Sequence, residues 1–142
     1  MVLNSAQMNG LQKYADIFIR IPVGFHLIYG TQDNIFSWSR MLEFRDFLEN
    51  LDVPFALLAA HVSVYAQFLA GIAFILGYRT RWAAVLMIIN FVVAICLVHL
   101  TDSYPSKFPA IIMLFASIFI LFNGDGYFSI ESLYKKVKQA RQ

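Results

Sequence analysis

Charged side chains are scarce in this chain: they make up 14% of its 142 residues, while apolar residues make up 59%. A soluble domain of ordinary composition carries about 25% charged residues. The mean hydropathy of +0.62 points the same way. A water-soluble helical bundle of this length would have too little polar surface to cover so many apolar side chains. The composition therefore excludes the ordinary soluble classes and indicates a protein embedded in lipid.

Cysteine is almost absent, since Cys96 is the only one in the sequence. A single thiol excludes an internal disulfide, and with it a dithiol relay that oxidises quinones within one chain. We expect Cys96 to serve as a small apolar core residue. The sequence also lacks a Cys-x-x-Cys pair, a Gly-x-Ser-x-Gly turn and a phosphate loop with its lysine. The chemistry is therefore not readable from motifs, and we favour an accessory subunit over a self-contained enzyme without deciding between them.

Four segments are candidates for crossing a bilayer, which requires about 20 residues for a hydrocarbon core of roughly 30 Å. They cover approximately residues 14–30, 54–77, 82–100 and 108–123. The first contains Asp16 and Arg20, whereas the last is short but carries no charge. We predict an all-α membrane protein with a single domain over residues 1–142, built as a four-transmembrane-helix up-down bundle.

Two further helices are predicted outside these spans. Between residues 33 and 52, apolar residues recur at helical spacing with charged residues between them, which indicates a short amphipathic helix at the outer interface. Ser129 is placed to cap a basic tail helix over Ile130–Ala140. Tyr104-Pro105 and Phe108-Pro109 are expected to shape the second external loop, where the fourth span begins.

Basic residues are distributed unequally between the two sides of this bundle. Three lie on the outer side among six acids, and seven lie on the side of the termini: Lys13, Arg79, Arg81, Lys135, Lys136, Lys138 and Arg141. The positive-inside rule therefore places both termini in the cytoplasm. The polar Met1–Lys13 segment lacks an apolar h-region, so we expect no removable signal peptide. Charge divided in this way argues against nucleic acid as a partner and favours the anionic headgroups of the lipid bilayer.

Polar residues inside the spans form two layers when each span is drawn with a rise of 1.5 Å per residue. The layer near the midplane contains Arg20, Gln67, Asn90 and Ser117, with Asp16 spaced for a helical ion pair with Arg20. An arginine within a membrane almost always faces the bundle interior and has a partner. We therefore predict that Arg20 is buried and bonds to Gln67, Asn90 or both.

The second layer contains three histidines, His26, His61 and His99, in the outer half of three separate spans. Each alone is explained by helix packing or by an interfacial position, but their shared depth favours a common pocket. Imidazoles hydrogen-bond quinone carbonyls and can exchange the accompanying proton. We predict that at least two of them line one cavity, with Tyr29 or Tyr65 nearby and a quinone as its ligand. No paired histidine motif indicates a metal site, so none is predicted.

Several short motifs are spread along most of the chain. They are Arg20-x-x-x-Gly24 with Gly30, the Pro54–Ala60 segment, Gln67-x-x-x-Gly71 running on to Leu76-Gly77 and Arg79-Thr80-Arg81, and the closing run Asn123–Glu131. In order and spacing, over roughly Ala15–Glu131, the chain resembles the DoxX family of small bacterial inner-membrane proteins. The family often has glutamate where this chain has Gln67, so a proton-transfer role does not carry over to that position.

The resemblance implies a four-helix protein of the bacterial inner membrane, and some relatives are associated with quinone-linked sulfur oxidation or oxidative-stress complexes. The function hypothesis is therefore a membrane subunit of a redox complex, with a quinone and an oxidoreductase as partners. A non-catalytic scaffold for assembly or stress response is the alternative. A small-solute transporter ranks last because Gln67 does not titrate. All three are compatible with a homo-oligomer.

Overall fold

The computed structural model describes residues 14–98 and 102–141. Within these ranges it contains no strand and six α-helices: α1 Ile17–Phe36, α2 Trp38–Glu49, α3 Ala56–Leu76, α4 Thr80–Leu97, α5 Tyr104–Asn123 and α6 Ile130–Gln139. The all-α prediction is confirmed. Three of the described helices, α3, α4 and α5, are long and apolar enough to cross a membrane.

The helices pack as two pairs, α1 on α3 and α4 on α5, which are joined by contacts between α3 and α4. Phe74 and Met87 are fully buried in the main core between them. The short α2 packs on α1 and α3, with Met41 and Leu48 buried in a second core. Many large apolar side chains point outward instead, as expected of a surface that contacts lipid rather than water.

The crossing of α1 and α3 is close because a glycine faces a glycine. A Cβ atom on Gly24 would lie 2.7 Å from the carbonyl oxygen of Gly71, and a Cβ atom on Gly71 would lie equally close to that of Gly24. Small residues at such crossings let helix backbones approach directly in a membrane. The glycine pair therefore fixes how the side chains on either side of it are placed.

The two ends of the bundle differ in content. At one end the start of α1, the Gly77 turn after α3, the start of α4 and the loop after α5 meet, and the backbone N–H of Glu131 donates to the Gly77 carbonyl. We call this the Arg20 end. At the other end α2 covers the beginning of α3, and we call this the α2 end.

The two additional helices are confirmed at Trp38–Glu49 and Ile130–Gln139, and Ser129 Oγ accepts the predicted capping bond from Ser132 N at 3.0 Å. The expectation that Pro105 and Pro109 shape the external loop is wrong, because α5 begins before both. Pro105 lies in the first turn, where the N–H groups have no intrahelical acceptor. Pro109 lies inside α5, and proline is tolerated in transmembrane helices where neighbouring helices cover the loosened backbone.

Some predicted boundaries shift. The first helix continues to Phe36, past the predicted end at residue 30. Residues 1–13 and 99–101, and with them His99, lie outside the described part of the chain. The predicted core role of Cys96 is wrong, since its side chain is exposed. Cys96 follows the buried Phe91 by five residues, which turns it about 140° away around the helix.

Candidate functional site

Arg20 is buried, with 2% of its surface exposed, and it forms the predicted ion pair with Asp16, but its other partners differ from the predicted ones. Its guanidinium Nη1 donates to Asp16 Oδ2 at 2.8 Å, and the same group donates to the carbonyl oxygens of Asp125 and Phe128. The predicted burial is confirmed, and the predicted bond to Gln67 or Asn90 is wrong. The physical reason is that Arg20 lies within the first turn of α1 and reaches the loop after α5.

Asp125 joins α4 to the same group of side chains. Its Oδ1 atom accepts from the backbone N–H of Thr80 at 2.9 Å and from the Thr80 hydroxyl at 2.8 Å. Thr80 is fully buried. Asp16, Arg20, Thr80 and Asp125, with the Phe128 carbonyl, form what we call the Arg20 cluster. It ties α1, α4 and the loop after α5 to one another.

The Arg20 cluster leaves no room for a ligand beside Asp16. Gly126 has a φ of +72°, and a Cβ atom there would lie 1.8 Å from Asp16 Oδ2. Asp16 Oδ1 and Arg20 Nε are buried without a hydrogen-bond partner among the described residues. A buried pair of opposite charges in so tight a place holds its neighbours together, and removing one member is strongly destabilising. The arrangement is that of a structural joint.

A second polar group lies farther along α3 and α4. Gln67 Nε2 donates to Ser63 Oγ at 3.1 Å, and Ser63 Oγ donates to Asn90 Oδ1 at 2.8 Å. Within the described residues Gln67 Oε1 and Asn90 Nδ2 make no hydrogen bond. One acceptor and one donor are thus available to bind another molecule.

These side chains line a cavity of about 350 Å³ at the α2 end, which we call the α2-end cavity. Its walls come from all of α1 to α5, through His26, Phe44, Phe47, Ser63, Gln67, Asn90, Phe91, Ala94, Val98, Pro109, Ala110 and Met113. An apolar cavity between α1 and α5 shares three of these residues, His26, Pro109 and Met113, and so adjoins it. Mostly apolar walls with a few converging polar groups are typical of small-molecule sites.

The structure separates the two described histidines. His26 lines the α2-end cavity, whereas His61 is not among its lining residues. The His61 Nδ1 atom lies 2.8 Å from the carbonyl oxygen of Leu57, and its ring contacts Trp38 and stacks on Tyr65, with centroid distances of 5.7 and 6.2 Å. The structure therefore brings His26 together with Gln67 and Asn90 rather than with His61.

The remaining predicted site residues lie elsewhere. Tyr29 stacks on Phe25 at a centroid distance of 6.0 Å, and both rings are mostly exposed on α1. Ser117 is fully buried and donates to the Met113 carbonyl of its own helix at 2.8 Å. In residues 14–98 and 102–141, no group of three or more His, Cys, Asp or Glu side chains is placed to hold a metal ion. A pocket shared by two histidines stays a prediction that would need His99.

The exposed side of α2 carries ion pairs. Arg40 Nη1 donates to Glu43 Oε2 at 2.8 Å, and this hydrogen bond raises the pKa of Arg40. Arg45 donates to the Asp46 carboxylate, which raises the pKa of Arg45 in the same way. Exposed pairs of this kind contribute little to stability. They keep α2 polar on the side away from α3.

Residues 15–100 of the chain match the model of the DoxX family. The matched region contains Arg20 and all the polar residues of the α2-end cavity, but it ends before Asp125 and α6. No curated protein matches the chain, and no solved structure does.

Proposed function

This chain belongs to the DoxX family, and on that premise we propose that it spans the bacterial inner membrane four times and binds a quinone head group in the α2-end cavity. In this proposal the protein is the membrane subunit of a redox complex. An oxidoreductase partner supplies the two electrons that, with two protons, reduce the quinone to a quinol.

Three of the proposed spans are the apolar helices α3, α4 and α5. We propose α1 as the fourth span. Its 20 residues extend about 30 Å, enough to cross the hydrocarbon core. Its basic residue, Arg20, is buried with a partner, while Phe18, Phe25 and Tyr29 are mostly exposed where lipid would lie. The start of α1 and the end of α5 meet in the Arg20 cluster, which supports an up-down order of four spans.

The Arg20 end is the cytoplasmic end in this proposal. It carries most of the basic residues, whereas the basic residues of the α2 end are accompanied by acids. Single cysteines introduced at positions 40 and 138 in a Cys96→Ala background test this orientation with a membrane-impermeant thiol reagent. Intact cells should label position 40 only. Labelling of position 138 from outside would refute the orientation.

The observation that carries the quinone proposal is the free hydrogen-bonding capacity inside an apolar cavity. Asn90 Nδ2 can donate to a quinone carbonyl, and Gln67 Oε1 can accept from a quinol hydroxyl. His26 at the wall supplies an imidazole, which can hydrogen-bond a quinone carbonyl. The adjoining apolar cavity between α1 and α5 gives an isoprenoid tail a place beside the same wall. The apolar walls and the polar groups together fit an amphiphile.

Tryptophan fluorescence offers a direct test, because the chain has two tryptophans, at opposite ends of the bundle. Trp38 begins α2, whose Phe44 and Phe47 line the cavity. In a Trp82→Phe variant, a short-chain ubiquinone analogue should quench Trp38 saturably. His26→Ala should raise the Kd about tenfold, the equivalent of one hydrogen bond.

His61→Ala is the matched control for this titration, since His61 lies outside the cavity lining. Its titration midpoint should stay where it is in the parent, although the amplitude will differ because His61 contacts Trp38. Quenching that does not saturate, or an unchanged Kd in His26→Ala, would overturn the quinone proposal. The scaffold alternative would then take its place.

A further inference from the structure

A second cavity, of about 400 Å³, lies at the Arg20 end between the loop Asn123–Gly126 and the tail helix α6. Three basic side chains line it, Arg81 from the first turn of α4 and Lys135 and Lys136 from α6. Ser132 and Gln139 add neutral hydrogen-bonding groups to the wall. Neither the quinone proposal nor the Arg20 cluster gives these cations a role.

The cavity is electropositive even when the nearby acids are counted. Of the residues that line it, Asp125 is the acidic one, and its Oδ1 atom is taken by the two hydrogen bonds from Thr80. Glu131 lies outside the lining and only 4.0 Å from Lys135 Nζ, so it offsets part of that one charge. The positive charges of Arg81 and Lys136 are not offset by an ion pair among the described residues. An anion is therefore the complementary ligand.

Arg81 is placed at the wall by a glycine. A Cβ atom on Gly124 would lie 3.0 Å from Arg81 Nε, so the guanidinium lies directly against the loop backbone. Within the described residues the Arg81 guanidinium has no hydrogen bond or ion pair. On the other wall, Lys136 Nζ lies 4.2 Å from the centroid of the Tyr127 ring, which holds its ammonium near the loop. The guanidinium of Arg81 and the ammonium of Lys136, which line the same cavity, are well suited to bind phosphate oxygens.

The surroundings of the cavity indicate that the phosphate belongs to a lipid. The tail helix exposes Ile130, Leu133, Tyr134 and Val137, at the i, i+3, i+4, i+7 spacing of one apolar face. A basic helix with such a face lies in the membrane interface. Trp82 and Phe122 adjoin the lining residues Arg81 and Asn123 in sequence, and they are 70% and 79% exposed. Acyl chains below the cavity would contact these two rings.

We propose that this cavity binds the phosphate of an anionic phospholipid headgroup at a defined site, so that α6 is held to the membrane by more than diffuse charge. Basic pockets beside transmembrane helices are a recurrent mode of headgroup recognition. Arg81 is the residue expected to contribute most. Its fork can hold two phosphate oxygens at once, and it has no competing partner among the described residues.

The test uses the full chain in nanodiscs, with Trp82 as the reporter in a Trp38→Phe variant. Phosphatidylcholine nanodiscs receive a small, fixed fraction of brominated lipid, either phosphatidylglycerol or phosphatidylcholine. Brominated phosphatidylglycerol should quench Trp82 more strongly at the same mole fraction. Arg81→Gln should lower that preference about tenfold, the expected effect of losing a charge-assisted hydrogen bond to phosphate. Lys138→Gln, on the same helix but outside the lining, should leave it unchanged.

Three results would overturn the proposal. Equal quenching by the two brominated lipids would show that no anionic lipid is enriched there. Equal losses in Arg81→Gln and Lys138→Gln would show diffuse attraction without a site. Inorganic phosphate that abolishes the preference, when sodium chloride of the same ionic strength does not, would identify a soluble phosphate as the occupant. Circular dichroism of each variant verifies that its helices are intact, since Arg81 is exposed and its loss should not unfold the bundle.

Discussion

Two groups of polar side chains in the bundle interior, the Arg20 cluster at one end and the group of Ser63, Gln67 and Asn90 at the other, serve different purposes. At the Arg20 end a buried charge meets a carboxylate and two backbone carbonyls in a space that admits only glycine at position 126. At the α2 end Gln67 and Asn90 face a cavity and keep an unused acceptor and donor. Polar groups in a membrane protein are costly. In our proposal, polar groups paired in a closed space stabilise the fold, and polar groups whose free hydrogen-bonding capacity faces a cavity mark a binding site.

Arg20→Leu should produce the largest loss of stability, because it leaves the Asp16 carboxylate buried without its cation. Removing one member of a buried pair costs about 3–5 kcal/mol. Denaturation in mixed micelles, followed by circular dichroism, measures the free energy of unfolding. Arg40→Leu is the control, since Arg40 and Glu43 are both mostly exposed. Similar losses in the two variants would show that the Arg20 cluster is no joint.

Gly24→Ala tests the glycine contact that separates the two ends. The new Cβ atom would lie 2.7 Å from a backbone oxygen, so α1 and α3 would have to move apart. Overpacking of this kind costs about 1–3 kcal/mol. Gly30→Ala on the same helix is the matched control, because its Cβ atom meets nothing within 4 Å. If both substitutions change the unfolding free energy equally, the close crossing does not exist.

Thr80→Val removes one of the two hydrogen bonds to Asp125 without changing the side-chain shape. We expect a loss of about 1.5 kcal/mol, because the acceptor is a carboxylate and the backbone N–H remains. Thr31→Val is the control, as the Thr31 hydroxyl bonds to the Leu27 carbonyl within its own helix. The tail helix α6 follows the loop that contains Asp125. Its cleavage by chymotrypsin should therefore be faster in Thr80→Val than in Thr31→Val. A larger loss in Thr31→Val would contradict the assigned importance of the loop.

Asn90→Leu should have the smallest effect on stability, although it removes a partly buried polar group. Ser63 loses its acceptor, but the cavity can admit water, and the new side chain buries more apolar area. We expect the free energy of unfolding to change by no more than about 1 kcal/mol. A loss as large as that of Arg20→Leu would mean that the polar groups at both ends serve the fold.

The sequence predicted the helices better than the contacts between them. Apolar length located the spans, and the spacing between residues 33 and 52 located α2, because both depend on local periodicity. Depth along a span gave one coordinate of Arg20, and helical spacing gave its ion pair with Asp16, but neither identified the carbonyl groups of the loop after α5. Gly77, whose Cβ atom would meet the Arg20 guanidinium, lies ten residues from Gln67, about 15 Å along the helix direction. An error of a few residues in where a span begins moves a side chain to another layer.

The signal that could have identified the carbonyl acceptors of Arg20 lies in the loop after α5. Asp125 stands between two glycines, and a backbone without Cβ atoms on either side of a residue can be approached closely by another side chain. Gly124 next to it has a φ of +78° and a ψ of −150°, a conformation that is essentially confined to glycine. Phe44 and Phe47 of α2 could not be assigned to a cavity from the sequence, because helical periodicity does not specify which neighbouring helix a side chain faces.

The most direct measurement compares quinone affinity in one variant from each end. The Trp38 quenching titration is performed on Asn90→Leu and Thr80→Val, both in the Trp82→Phe background. If free hydrogen-bonding capacity marks the site, Asn90→Leu raises the Kd about tenfold while Thr80→Val leaves it unchanged despite the larger loss of stability. An unchanged Kd in Asn90→Leu, or an equal rise in both variants, would contradict the division of roles between the two ends.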